Sequence, residues 1–119
     1  MTQTTNHTVT LSVASREDVN RRALAAFRGE GQSAHISFSS ADLLWRTLTK
    51  KRWEILRAMG AAGPLSVREV ARRVGRDVRR VHGDTKALLD AGVIDRAEDG
   101  RIEFRYDAVH VDFVLQAAG

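Results

Sequence analysis

Hydrophobic and polar residues alternate in three stretches of the chain. Alternation with a period of two is typical of a β-strand with one buried face, because successive side chains point to opposite sides. Between the first two stretches, Ser15 and Asp18 stand in capping-box spacing at the start of a helical pattern that ends at Gly29. The first 39 residues are therefore predicted to form strand, helix and strand, with one further strand near the C-terminus. The alternating stretches are 8–13 (TVTLSV), 35–39 (HISFS) and 109–115 (VHVDFVL).

Helical patterns occupy the middle of the chain. Apolar residues at helical spacing cover residues 40–60, and Thr49 is placed to cap a second segment there, so this stretch is predicted as two helices or one bent helix. A short helix begins at Ser66 and ends at Gly75. Asp77 is a suitable N-cap for the next helix, which runs to a glycine at position 92. Very few residues are predicted to separate these last two helices.

A β-hairpin follows over residues 93–106. Its strands flank the turn EDG, and Arg101 and Arg105 lie on the face opposite the apolar side chains. Two helices, a short turn, a third helix and a basic hairpin follow the order of a winged helix-turn-helix. The predicted fold class is α+β, with this winged domain and a C-terminal strand over residues 40–119. The strand-helix-strand over residues 1–39 is a candidate dimerisation or partner-binding segment.

Composition excludes several classes of protein. The 119 residues include no cysteine, which excludes disulfide frameworks, cysteine-ligated zinc sites and thiol catalysis. No stretch approaches the roughly 18 apolar residues of a membrane span. The opening residues, MTQTTNHT, lack the basic and apolar regions of a signal peptide. We therefore expect a cytoplasmic protein with no membrane partner.

Charge is distributed unevenly along the chain. Residues 1–45 contain equal numbers of basic and acidic residues. Residues 46–80 contain eleven Lys and Arg and three acidic residues, a net charge of +8. Residues 81–119 contain four basic and eight acidic residues. A strongly basic block is what a surface facing DNA phosphates needs, and a solvated helix face is the alternative interpretation.

The third helix of the predicted domain separates into two faces. Gly83 lies in the middle of its exposed face, although a glycine within a helix costs about 1 kcal/mol relative to alanine. One interpretation is that the missing side chain lets the helix approach DNA closely, and the other is a tolerant surface position. His82 lies beside the core face and is expected to be packed or partly buried. The core face comprises Val78, Val81, Thr85, Leu88 and Leu89, and the exposed face comprises Arg79, Arg80, Gly83 and Ala87.

Basic residues at the start of this helix are the candidate readers of DNA bases. Recognition helices point their N-terminal ends at base edges, and arginine bridges guanine well. Lys86, farther along the helix, and Arg101 in the hairpin are candidate phosphate contacts. The full candidate DNA-binding set is Arg76, Arg79, Arg80, Gly83, Lys86, Ser66, Arg68 and Arg101.

A family resemblance accompanies these residues. The segments TLTKKRWEILRAM, SVREVARRVGRDVRRVH and DTKALLDAGVIDR, followed by the hairpin, resemble small prokaryotic regulators described as MarR-like winged-helix DNA-binding proteins. The resemblance covers residues 36–115 and implies a dimeric protein that controls transcription. Some members are encoded beside a toxin gene and look like antitoxins that repress their own operon. Members tend to have a longer polar or charged residue where this chain has Gly83.

An enzyme is not expected. The histidines, at positions 7, 35, 82 and 110, are dispersed and form no metal-binding spacing. Glycine-rich phosphate loops of the nucleotide-binding types are absent from the sequence, so no cofactor is predicted.

The prediction is therefore a sequence-specific DNA-binding transcriptional regulator, most simply a repressor. The helix over 77–91 lies in the major groove of double-stranded DNA, and the hairpin over 93–106 is the wing. The apolar strands at both ends predict a homodimer, because a single winged domain has little room to bury them. The alternative is a protein-binding module, toxin-neutralising or scaffold, on a winged-helix fold without a specific DNA site. A toxin encoded nearby is the candidate partner of an antitoxin.

Overall fold

A computed structural model describes residues 8–13, 34–113 and 117 of the chain, which form an α+β fold with four helices and two small sheets. The helix predicted over residues 15–29 and the end of the predicted C-terminal strand lie outside the described residues. In chain order the elements are β1 (Thr8–Val13), β2 (His35–Phe38), α1 (Ala41–Thr47), α2 (Lys50–Met59), α3 (Val67–Val74), α4 (Val78–Asp90), β3 (Asp95–Arg96), β4 (Ile102–Glu103) and β5 (Ala108–Asp112).

The larger sheet is parallel and has the strand order β2, β1, β5. Leu11 on the central strand lies opposite Ile36 and Val111. The sequence predicts that β1 is half-buried with Ser12 on its polar side, but Ser12 is only 8% exposed. His35 on β2 lies beside it, and a 2.6 Å hydrogen bond joins its Nε2 to Ser12 Oγ. The buried hydroxyl is thus satisfied, which allows burial on both faces of the strand.

Pairing of the two terminal strands changes the basis of the homodimer prediction. β1 and β5 pair from Thr8 with Ala108 to Ser12 with Asp112, and α1 packs against β1 and β2. Val9 and Leu11 are consequently fully buried within one chain. The premise that a single chain cannot bury the N-terminal strand is therefore wrong, and dimerisation remains a prediction without that reason.

Side chains in the loops cap the helices as the sequence predicts. Thr49 Oγ1 accepts a hydrogen bond from Arg52 N at 3.3 Å, so residues 40–60 form two helices. Ser66 Oγ accepts one from Glu69 N at 3.0 Å to begin α3. An Asp77 carboxylate oxygen accepts one from Arg80 N at 3.4 Å to begin α4. The left-handed Gly75 (φ 67°) directly follows α3, and the left-handed Gly92 (φ 80°) follows α4 after the C-cap residue Ala91.

Fewer side chains of α4 are buried than the sequence predicts. Val81, Thr85 and Leu88 are buried, and the Thr85 hydroxyl donates a 3.0 Å hydrogen bond to the His82 carbonyl. Val78 is 39% exposed and His82 is also exposed, so the predicted burial of these two side chains is wrong. The side of α4 that carries the three buried residues packs on α2 and α3. Val78 and His82, at the edge of that side, are exposed.

The small sheet forms the predicted hairpin from shorter strands. β3 and β4 pair in antiparallel fashion around a turn that ends at Gly100 (φ 90°). Ile102 also exchanges two backbone hydrogen bonds with Leu65, at 2.7 and 2.8 Å, which attach the hairpin to the chain preceding α3. Ile102 and Phe104 are buried, whereas Arg101 and Arg105 are exposed, as predicted. Within the described part of the chain, every helix is too short or too polar to cross a membrane.

Candidate nucleic-acid interface

An open groove of about 680 Å³ lies between the start of α2 and the first half of α4; we call it the basic groove. Residues some thirty positions apart in the sequence meet there, because α2 packs against α4. Six of the side chains that line it are cationic and one is a carboxylate. Its lining residues are Thr49, Lys50, Lys51, Arg52, Arg76, Arg79, Arg80, Gly83 and Asp84.

Asp84 joins the two walls of the basic groove. Its Oδ1 accepts a hydrogen bond from Arg52 Nε at 3.0 Å, and its Oδ2 accepts one from Arg76 Nη2 at 2.8 Å. All three side chains are largely buried, with exposures of 17 to 21%. Arg52 Nη1 also donates to the carbonyls of Arg46 and Thr47, at 3.0 and 3.1 Å. This network fixes the end of α1 and the start of α2 against α4.

The Asp84 carboxyl is held in its ionised form. Burial raises its pKa, but the hydrogen bonds from Arg76 and then Arg52, together with their charges, lower it by more. The net effect is a pKa below the ordinary value of 3.8. At neutral pH the network therefore contains two guanidinium groups and one carboxylate.

Arg76 has a different setting from the exposed base reader that the sequence predicts. Its side chain is 17% exposed and points one nitrogen, Nη2, at Asp84. The other terminal nitrogen, Nη1, is buried and has no hydrogen-bond partner. Arg76 thus forms part of the groove wall and keeps one unused donor there.

Four cations of the basic groove are exposed: Lys50, Lys51, Arg79 and Arg80. Considering only the residues that the structure describes, none of the four forms an ion pair. Sequence reasoning identified the two arginines but missed the two lysines. The signal for the lysines was their place immediately after the cap Thr49, where the helix dipole disfavours positive charge.

Gly83 leaves the α4 wall of the groove bare. A Cβ built at this position has no protein atom within 4 Å, so the packing of the protein does not require glycine there. Its φ lies outside the left-handed region, so backbone strain does not require glycine either. A side chain at this position would extend into the open space of the groove.

The remaining candidate residues lie outside the groove. Lys86 Nζ pairs with Asp90 at 3.2 Å on the surface of α4. The Ser66 hydroxyl caps α3, and Arg68 is exposed on that helix. Arg101 in the hairpin donates to Asp99 from Nε at 2.7 Å and to the Pro64 carbonyl from Nη1 at 3.3 Å.

Acidic residues accompany two of the three exposed arginines of the hairpin, Arg101 and Arg105, whereas the third, Arg96, donates from Nη1 to the Gly100 carbonyl at 2.9 Å. Asp99 accepts hydrogen bonds from the backbone N–H and then the side chain of Arg101, which lower its pKa. Arg105 Nε lies 3.6 Å from Asp95 and 3.7 Å from Glu103. Arg101 and Arg105 of the hairpin therefore already have carboxylate partners.

A family model, HVO_A0114, matches residues 47–111, which is more than half of the chain. The matched segment begins at the end of α1 and ends within β5, so it contains the basic groove and the hairpin. No curated protein and no solved structure matched the chain.

Proposed function

The chain belongs to the HVO_A0114 family, and for its matched segment we propose sequence-specific binding of double-stranded DNA in the control of transcription, most simply as a repressor. The observation that carries this proposal is the exposed start of α4. Arg79 and Arg80 lie there without an ion pair to any described residue, on the side opposite the buried Val81 and Leu88. A helix that is anchored on one face and cationic at its exposed N-terminal end is suited to insertion into a major groove.

The order of elements supports a winged helix-turn-helix as the architecture behind this function. α2, α3 and α4 pack on one another, and only residues 75–77 separate α3 from α4. The hairpin of β3 and β4 follows α4 and is tied to Leu65, just before α3. In this proposal α4 is the recognition helix and the hairpin is a wing that contributes little, because Arg101 and Arg105 are paired with acids and Arg96 is bonded to the Gly100 carbonyl.

The proposal gives different roles to different basic residues. Arg79 and Arg80 contact base edges, because they occupy the first turn of α4 and their donors are free of carboxylates among the described residues. Lys86, about two turns along, contacts phosphate after it leaves Asp90, an exposed pair that is easily exchanged. Ser66 and Arg68 at the start of α3 are further phosphate contacts.

A protein partner is the second candidate, and two exposed apolar side chains favour it. Leu43 and Trp45 on α1 are 38% and 53% exposed, and Trp45 stacks edge-to-face on Phe113 at 5.5 Å between ring centroids. Exposed aromatic residues are enriched at protein interfaces. A toxin bound at this surface and DNA bound at α4 would together make the chain an antitoxin.

Recovery of bound DNA tests the proposed function. The purified full chain is incubated with genomic fragments, and the retained fragments are sequenced. We expect enrichment of one inverted repeat, with half-sites about one helical turn apart if the protein is dimeric. Equal retention of all fragments, or of none, would contradict sequence-specific binding.

Substitution of the proposed base readers sharpens this test. Arg79→Ala or Arg80→Ala should weaken binding to the enriched site by about 1 to 3 kcal/mol and relax the preference at one base position. Arg46→Ala is the matched control, because it removes one exposed arginine that pairs with Asp42 and does not line the groove. If both arginine variants lose the enriched and a scrambled duplex equally, α4 reads no bases through these side chains.

A further inference from the structure

We propose that the basic groove is a track for a DNA phosphate backbone, in which Lys50 and Lys51 of α2 contact phosphates on the flank of the duplex that α4 reads. This inference rests on the proposed function and adds a second helix to the interface. Major-groove reading by Arg79 and Arg80 does not by itself require any contact from α2. The lysines are phosphate contacts, which strengthen binding without reading sequence.

Charge across the groove is the first argument. The single lining carboxylate, Asp84, is already shared between Arg52 and Arg76. Lys50 and Lys51 therefore line the same open groove as Arg79 and Arg80, and none of the four forms an ion pair with a described residue. Like charges held on opposite walls repel each other, and an anion between them relieves that repulsion. A phosphodiester backbone supplies one such anion per nucleotide.

Helix polarity is the second argument. The first turns of α1 and α3 contain acids, Asp42 and Glu69, as the positive end of a helix dipole favours. The first turns of α2 and α4 contain none, and their cations lie at the groove. The start of α4 is capped by the Asp77 carboxylate, whereas the start of α2 has the neutral cap Thr49 and no acid in its first turn. The positive end of α2, with Lys50 and Lys51 beside it, is therefore favoured by an anion in the groove.

The shape of the groove identifies the occupant as a polymer rather than an enclosed small anion. The groove is open to solvent, and Gly83 removes the side chain that would otherwise project into it. An enclosed pocket would suit a free phosphate, whereas an open channel lets a chain of phosphates enter and leave.

Asp84 acts as a positioning residue in this arrangement. By binding Arg52 and Arg76 at 3.0 and 2.8 Å, it fixes the start of α2 relative to α4. The separation between the lysine wall and the arginine wall is thus set before DNA arrives. A phosphate contact at Lys50 or Lys51 is then in fixed register with the bases that face α4.

Salt-dependent titration tests the track. Lys50→Ala and Lys51→Ala are titrated by fluorescence anisotropy against the enriched duplex and a scrambled duplex at several salt concentrations. Each variant should weaken both duplexes by the same factor and reduce the slope of log K against log salt by about one unit, the loss of one phosphate contact. Lys50→Arg and Lys51→Arg should retain the wild-type slope, and Arg46→Ala, which removes one exposed charge outside the groove, should leave it unchanged. Thermal melts confirm that each variant is folded.

Three outcomes overturn the inference. The first is a wild-type salt slope in both lysine variants. The second is a lysine variant that loses the binding of inorganic phosphate, as measured by calorimetry, but binds DNA as the wild-type protein does. That result would make the groove a site for a free anion. The third is an altered ratio of enriched to scrambled affinity, which would make the lysines base readers.

Failure of the proposed function gives a distinct result. If the wild-type protein binds all duplexes equally but the lysine variants lower the salt slope, the phosphate track stands and sequence-specific regulation does not. If the wild-type protein binds no duplex, both proposals are wrong.

Discussion

The basic groove and the hairpin both present exposed arginines, but the hairpin pairs two of its three, Arg101 and Arg105, with carboxylates, and its third, Arg96, donates to the Gly100 carbonyl. Arg101 bonds to Asp99 at 2.7 Å, and Arg105 lies within 3.7 Å of two carboxylates. In the groove, Arg79 and Arg80 have no carboxylate partner among the described residues, and the nearby Asp84 is already occupied. Exposure of a cation therefore says little about its availability to DNA, and the disposition of nearby acids decides it.

The same distinction applies to the net charge of +8 over residues 46–80. Much of that charge is used within the protein. Arg72 and Arg73 both bond to Glu69, and their hydrogen bonds lower the pKa of Glu69 to about 2. Arg46 pairs with Asp42 in the same way. Counting basic residues in a segment thus overestimates the number of phosphates that it can neutralise.

Removal of Asp84 is expected to have the largest effect on the groove. Asp84→Ala leaves Arg52 and Arg76 largely buried without their anion, which should lower the free energy of unfolding by about 2 to 4 kcal/mol. Asp90→Ala, which breaks the exposed pair with Lys86, should change it by about 0 to 0.5 kcal/mol. Urea unfolding of both variants measures the difference. Equal stability of the two would show that Asp84 does not hold the helices together.

Acid should weaken the same contact. Because the folded pKa of Asp84 is lowered, this carboxyl contributes stability above its unfolded value of 3.8 and loses that contribution as the pH falls below it. The stability gap between wild type and Asp84→Asn should therefore narrow between pH 5 and about pH 2. Urea unfolding as a function of pH measures the gap. A gap that stays constant over this range would contradict the ion-pair network.

Gly83→Ala should have opposite effects on folding and on binding. Alanine meets no atom within 4 Å in the helix surroundings, so its better helix propensity should raise the free energy of unfolding by about 0.5 to 1 kcal/mol. The same methyl group occupies space in the groove and should weaken DNA binding severalfold. Urea unfolding measures the free energy of unfolding, and fluorescence anisotropy on the same preparation measures the affinity for DNA. Higher stability with unchanged affinity would favour the interpretation of a tolerant surface position.

Arg101→Ala is expected to have the smallest effect. Its side chain is 51% exposed and already bonded to Asp99, so any contact with phosphate must first replace that pair. DNA affinity should fall by about 0 to 0.5 kcal/mol, with little change in the salt slope. A slope that falls by a full unit would restore the hairpin as a phosphate-binding wing.

Local chemistry made much of this fold predictable. The caps Thr49, Ser66 and Asp77 and the glycines after α3 and α4 specify helix ends through contacts only a few residues long. The alternation of polar and apolar residues likewise predicted the hairpin and the exposure of Arg101 and Arg105. The α+β class followed from these signals, which left only the choice between two helices and one bent helix over residues 40–60 open.

Long-range contacts were not predictable from the same signals. Pairing of β1 with β5 joins residues about one hundred positions apart, and no periodicity specifies which strands become neighbours. Burial of Arg76 depends on Asp84, which faces α2 only after the helices pack. Lys50 and Lys51 became part of a site for the same reason, because the opposite wall of the groove comes from α4.

The most direct test of the account compares paired losses of charge in the two regions. Arg79→Ala/Arg80→Ala and Arg101→Ala/Arg105→Ala each remove two exposed arginines, and both are titrated by anisotropy against the enriched and the scrambled duplex. The account predicts that the groove variant loses its preference for the enriched duplex, at about 1 to 3 kcal/mol for each arginine, whereas the hairpin variant keeps it. Equal loss of preference in both variants, or a larger loss in the hairpin variant, would contradict the claim that the groove, and not the hairpin, recognises DNA.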